Sequence, residues 1–165
     1  MAFFLLEGCA SRPLPVLSDI NFDLSGKIGV RWQADRFSAR FRWLQAGDTY
    51  QIELWGPLGQ GRTVLEGDSR YMRISNAGGE LIDAGAAEAV MLRQLGWYLP
   101  LEAMPRWIEG APMEGPAVTG LSTSPEGRVT GFTQLDWQLT FDRFQEERPT
   151  RVTAERPDYW IRVIL

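Results

Sequence analysis

Along most of this chain apolar and polar residues change places at every step. A period of two suits little besides a β-strand with one dry face. Phe22, Leu24, Ile28, Val30 and Trp32 recur on one side of Phe22–Trp32, with polar residues or Gly on the other. Phe37–Gln45 sets Phe37, Ala39, Phe41 and Trp43 against Ser38, Arg40 and Arg42. Tyr50, Ile52 and Leu54 then alternate with Gln51 and Glu53, which predicts a three-strand antiparallel meander. Arg62–Glu66, Tyr71–Ser75 and Glu80–Asp83 read as shorter strands joined by Glu66-Gly67-Asp68-Ser69 and Asn76-Ala77-Gly78-Gly79, both rich in turn residues. Arg128–Leu135, Trp137–Asp142, Arg151–Glu155 and Tyr159–Leu165 close the chain as strands, with Ser124-Pro125-Glu126-Gly127 turning into the first.

The period changes once. Over Ala86–Leu95, Ala87, Val90, Met91 and Leu95 share one stripe, which predicts an amphipathic helix stopped by Gly96. Leu101–Glu109 reads as a second helix that Pro105 kinks or begins anew, and Ala111–Pro116 reads as loop. Many strands with helices inserted mid-chain predict a mainly β, α+β fold: one strongly curved antiparallel sheet, a half-open barrel with short helices over its concave side. Its interior holds either packed side chains or a ligand cavity. Trp32, Trp43, Trp97, Trp107 and Trp137 suit both, while Met91, Met104 and Met113 favour an adaptable lining. Residues 20–165 are expected to form one domain, preceded over 1–19 by a signal remnant or anchor and a Pro-containing linker.

Several chemistries lack their residues. There is no His, which removes the usual general base and the commonest metal ligand. One cysteine, Cys9, cannot build a thiolate metal site. The net charge is −4 and the arginines are dispersed among the strands, reading as solvated outward faces; nucleic acid is not an expected partner. Glu146-Glu147 before Pro149 reads as a solvated turn, and no GxSxG elbow accompanies Ser38, Ser75 or Ser122. No catalytic group, cofactor or metal is therefore assigned. Gly56–Thr63 lies one residue from a phosphate-binding loop, but Arg62 stands in place of Lys and strand-like residues follow where a helix belongs.

Two stretches break the bland reading. Trp55-Gly56-Pro57-Leu58-Gly59 forms a tight turn with Trp55 and Leu58 at its tip, where polar residues are usual. A leucine offered to solvent forgoes about 1.5–3 kcal/mol of burial. Either the loop folds back onto the core, or Leu58 is meant for a partner or a membrane. At the N-terminus, Ala2–Leu6 is apolar and Leu6-Glu7-Gly8-Cys9 resembles a bacterial lipobox, with Glu7 out of pattern and the apolar run short. The other reading is an incidental cysteine.

Ser38-Ala39-Arg40-Phe41 with Trp43, then Tyr50 and Leu54-Trp55-Gly56-Pro57-Leu58-Gly59, resembles the LolB family of outer-membrane lipoprotein receptors. So do Leu95-Gly96-Trp97 with Leu99-Pro100, Trp107-Ile108-Glu109-Gly110, and Gln134 ahead of Trp137, in the family's order from Phe22 to Leu165. The resemblance implies a LolA-like half-open barrel with an apolar cavity. It implies a monomeric receptor that accepts acylated lipoproteins from a LolA-type periplasmic carrier. Without hydrolysing nucleotide, the receptor would pass them to the inner leaflet of the outer membrane. It also implies a lipidated Cys9 as anchor and Leu58 as the apolar residue of a membrane-insertion loop formed by Trp55, Gly56, Pro57, Leu58 and Gly59. Ile28, Val30, Trp32, Phe41, Trp43, Ile52 and Leu54 of the sheet, with Val90, Met91, Leu95 and Trp107 of the helices, are the expected lining for acyl chains. The rival expectations are a soluble lipocalin-like carrier of a hydrophobic ligand, with Cys9 incidental, and a lipid hydrolase.

Overall fold

The computed structural model describes residues 22–56, 58–59 and 61–165. The expected signal, linker and Cys9 lie outside the described residues, as do Pro57 and Gln60. The alternating stretches become β1 (Phe22–Trp32), β2 (Asp35–Ala46), β3 (Thr49–Trp55), β4 (Thr63–Gly67), β5 (Tyr71–Asn76) and β6 (Leu81–Ala86). After the helices α1 (Ala87–Leu95) and α2 (Met104–Ile108) come β7 (Thr119–Thr123), β8 (Val129–Gln134), β9 (Trp137–Gln145), β10 (Arg148–Arg156) and β11 (Tyr159–Ile164).

All eleven strands form one antiparallel sheet in the order β6-β5-β4-β3-β2-β1-β11-β10-β9-β8-β7. First and last strands meet in the middle, with Ile28 opposite Val163 and Val30 opposite Ile161. β6 and β7 are left as unjoined edges, so the sheet is a half-open barrel, as the sequence predicts. Gly26 marks its tight coiling: a Cβ there would come 2.2 Å from the carbonyl oxygen of Ile164. The β1–β2, β3–β4, β5–β6, β8–β9 and β10–β11 connections share one rim, here called the upper rim. The start of β1 and the end of β11 lie at the lower rim.

Inward residues make the core: Ile28, Val30, Phe41, Trp43, Ile52, Leu54, Leu65, Met72, Ile74, Phe132, Leu139, Phe141, Val152, Ile161 and Val163 are buried. β7, by contrast, is exposed at all five positions. It has no dry face, so no alternation in the sequence predicts a strand there. α2 is shorter than the predicted Leu101–Glu109 because Pro105 sits in its first turn, where a missing N–H costs nothing. The segment after Arg62 enters β4, not a helix, which removes the context a phosphate loop needs.

The segment from Ala87 to Pro116 covers the concave face and is tied to the sheet by two polar contacts. At the β6 side, the Asp83 carboxylate accepts hydrogen bonds from Arg93 Nε (3.0 Å) and Nη2 (3.1 Å), Gln94 Nε2 (3.0 Å) and the Ala84 N–H (2.7 Å). Arg93 first and Gln94 second hold its pKa down at about 2. α1 then stops at Gly96, whose φ of 78° suits glycine and which lies against the Trp32 ring. At the other side, Gln134 of β8 is 1% exposed with every polar site used. Its oxygen accepts the N–H groups of Trp107 Nε1 and Met113, both at 2.9 Å, and its nitrogen donates to the carbonyl oxygens of Met113 (2.8 Å) and Pro116 (3.1 Å).

Gln134→Leu would orphan several buried groups at once, each normally costing about 1–3 kcal/mol. It is expected to lower stability by about 3 kcal/mol, read as a lower urea midpoint with unchanged slope. Asp83 has its own pH window. A carboxylate with a depressed folded pKa contributes fully above its unfolded value of about 4, and the contribution is lost as pH falls towards 2. Amide hydrogen exchange in α1 should therefore accelerate across that window, and Asp83→Asn should flatten the dependence.

Candidate functional site

Between the concave sheet and the covering segment lies a small apolar cavity of about 30 Å³. Ile28, Phe41, Trp43, Ile52, Leu54, Leu65 and Val163 line it from five neighbouring strands. Met91, Trp97, Leu99, Leu101, Met104 and Ile108 line it from the covering segment. A volume of this size holds about one water and no acyl chain. The interior is therefore closed by the chain's own side chains in this state. No charged group is among the thirteen lining residues. Among the described residues the Trp97 indole N–H is buried without an acceptor. Tyr50, beside the lower rim, likewise buries its hydroxyl without a partner. Burial, and then the charge of Asp68, push its pKa up.

The predicted lining residues divide. Ile28, Phe41, Trp43, Ile52, Leu54 and Met91 face the cavity. Val30, Val90 and Trp107 are buried in the core outside its lining, Trp107 being turned to Gln134. Trp32 and Leu95 are half-buried and pack against the core. Leu65 and Val163 were legible as inward positions of alternating strands. Leu101 was read as an apolar residue of the second predicted helix, whereas Leu99 was not legible, because the short stretch between the two predicted helices carries no pattern of either period.

The β3–β4 loop projects from the upper rim. Gly59 N–H donates to the Gly56 carbonyl at 2.9 Å, which closes a tight turn, and Arg62 pairs with Glu53 at its base. Leu58 is 86% exposed, the highest value among the exposed large apolar residues. Trp55 is half-buried on the outward face of β3, opposite Arg40 of β2. Leu81 and Ile82, at the start of β6, add exposed apolar surface along the same rim. The loop does not fold back onto the core. Cys9 lies outside the described residues, and no helix among them is long and apolar enough to cross a membrane.

Two features thus stand together: an apolar interior closed by apolar side chains of the covering segment, and an uncovered leucine on a tight turn. Comparison with known proteins gives them a context. The family model described as "Outer membrane lipoprotein LolB" matches residues 20–165. An outer-membrane lipoprotein LolB of Cellvibrio japonicus is 28% identical, over 97% of this chain and 89% of its own. That of Alkalilimnicola ehrlichii is 27% identical, over 100% of this chain and 92% of its own. The LolB of Francisella tularensis subsp. tularensis (strain WY96-3418) is 27% identical over 86% and 70% respectively. With the family model spanning the whole described sheet and its covering segment, this chain belongs to the LolB family of outer-membrane lipoproteins.

Proposed function

We propose that this protein is an outer-membrane lipoprotein receptor. It takes the acyl chains of a lipoprotein from a LolA-type periplasmic carrier into the barrel interior and releases them into the inner leaflet of the outer membrane. The observation that carries the reading is Leu58, 86% exposed on a turn at one rim of a barrel whose interior is lined by apolar side chains. Cys9, lipidated, would hold the receptor at the membrane, facing the periplasm.

The energetics follow from the cavity. An acyl chain carries about 0.8 kcal/mol per buried CH₂ and cannot cross water uncovered. In the closed state its place is filled by Leu99, Leu101, Met104 and Ile108. Cargo entry displaces these side chains, exchanging one apolar contact for another, and the flexible thioethers of Met91 and Met104 adapt to the new shape. No step uses a nucleotide; transfer runs downhill from carrier to receptor to bilayer. The receptor's task is binding, and the lining holds no nucleophile, acid or base.

Leu58 then disturbs the bilayer surface at the point of release. Leu58→Glu should leave cargo acceptance from the acylated carrier unchanged and cut lipoprotein insertion into liposomes about 10- to 100-fold, the loss expected when about 1.5–3 kcal/mol of apolar burial is forfeited. Insertion at the normal rate would overturn the role of the loop. Failure of the unaltered protein to accept cargo from the carrier, with the protein soluble and Cys9 free of lipid, would instead favour a soluble carrier of a small hydrophobic ligand.

A further inference from the structure

The outward face of the sheet carries a second feature, which the dispersed arginines of the sequence conceal. Antiparallel register sets Arg36 beside Arg31 and Arg31 beside Trp160; further along, Arg40 stands beside Lys27 and Lys27 beside Ile164; Arg162 lies between these rows, opposite Gly29. All five cations therefore point outward from β2, β1 and β11, three adjacent strands. None of them is in an ion pair among the described residues. Three carboxylates are committed elsewhere: Asp23 to Arg42, Glu53 to Arg62 and Asp142 to Arg151. Asp35, Glu155 and Asp158 share a concavity with Arg31 and Arg36 at the upper end of the patch, and Lys27, Arg40 and Arg162 lie beyond it. The guanidinium carbons of Arg31 and Arg162 lie 4.1 and 4.5 Å from the Trp160 ring centroid. Stacked on one indole, Arg31 keeps its N–H edge for an oxyanion, while Arg162 donates from Nε to Thr153 Oγ1 at 3.3 Å and offers its terminal nitrogens.

We infer that this convex face of β2, β1 and β11 is a docking surface for the phosphates of an anionic lipid bilayer, on which the barrel lies on its side. The inference rests on the proposed membrane role and adds the lipid charge and the orientation. Two observations favour a bilayer over an acidic protein. Trp160, Trp55 and the exposed Ile164 are interspersed with the cations, and amphipathic rings among basic residues suit the headgroup layer. Trp55 faces Arg40 and precedes Leu58 by three residues, so the cationic face runs directly into the exposed loop.

Register sets Trp55 level with Arg40 and Lys27, about 17 Å along β1 from its start at Phe22. A barrel lying on its β2–β1–β11 face therefore brings the start of β1 and the loop to the bilayer together. In a chain of net charge −4, an unpaired basic face also sets which side turns to a negative surface.

The test uses the full chain with Cys9→Ser, to keep it free of acyl groups, and phosphatidylcholine vesicles with or without phosphatidylglycerol. Binding is expected to require phosphatidylglycerol and to weaken with salt. Each neutralised cation should cost about fivefold in partitioning, so Arg31→Gln/Arg36→Gln/Arg40→Gln should lose about a hundredfold. Arg143→Gln/Arg148→Gln, which removes two charges around the β9–β10 turn at the lower rim, should stay within about twofold. Unchanged urea midpoints will show that these variants fold. Equal losses in both sets would reduce the effect to net charge and overturn the inference. So would a triple variant that binds vesicles normally, and one that fails only in accepting cargo would assign the face to an acidic protein. Leu58→Glu separates the two readings: it should keep phosphatidylglycerol-dependent binding while losing insertion. If it inserts lipoprotein normally, the loop assignment falls and the basic face still stands or falls on the arginine variants.

Discussion

A sheet that coils without closing leaves its concave apolar face to be covered, and everything else in this fold answers that need. The cover is the chain's own segment between β6 and β7, clasped at two places by polar groups of opposite edges. Asp83 holds the end of α1 through Arg93 and Gln94, and Gln134 holds α2 and the following loop through Trp107, Met113 and Pro116. Directional bonds fix the two ends. Between them, Trp97 to Met104 meets the barrel interior through apolar contact.

That division has an energetic meaning. At Gln134 the hydrogen bonds are buried and costly to break, because each orphaned group loses its solvation as well, whereas the Asp83 clasp is exposed and weaker. Apolar contact is non-directional, so a side chain that slides from one apolar surface to another gives up little. The cover is thus tied by directional bonds at its two ends and held in the middle by apolar contact of Leu, Met and Ile. The unpartnered indole N–H of Trp97 lies in that same central stretch.

Alternation that dries the inner face necessarily loads the outer one. In β1 and β2 the residues between Ile28, Val30, Phe41 and Trp43 include Lys27, Arg31, Arg40 and Arg42. Read along the chain they are scattered and look merely solvated. Strand pairing sets neighbours about 4.8 Å apart across the sheet, and the scattered charges become a patch. The two surfaces of one sheet thus carry two chemistries, an apolar concave side and a basic convex one.

Much of the fold was legible from residues alone, because burial on one side writes a period into the sequence. The strands with a dry face, α1 with its stripe ending at Gly96, and Pro105 as a helix start all follow from local rules. β7 escaped because all five of its residues are exposed and no contrast existed to read. The inward positions Ile28, Phe41, Trp43, Ile52 and Leu54 could be named as lining from alternation. Trp107 could not be told apart from them, since one turn of helix does not reveal that its indole faces Gln134.

Local patterns specify the material: strands dry on one side, a helical insert, and a leucine set on a Gly-Pro turn. Tertiary packing alone sets how much room the interior keeps, because a cavity is what remains after Leu99 and Leu101 of the connection between the helices, and Met104 and Ile108 of α2, have taken their places. It also decided that β1 pairs with β11, a contact between the two ends of the described chain that no local pattern encodes. From that pairing come both the half-open barrel and the neighbourhood of Arg31, Lys27, Trp160 and Arg162. Local periodicity carries no information about register between distant strands; the packing of their side chains does.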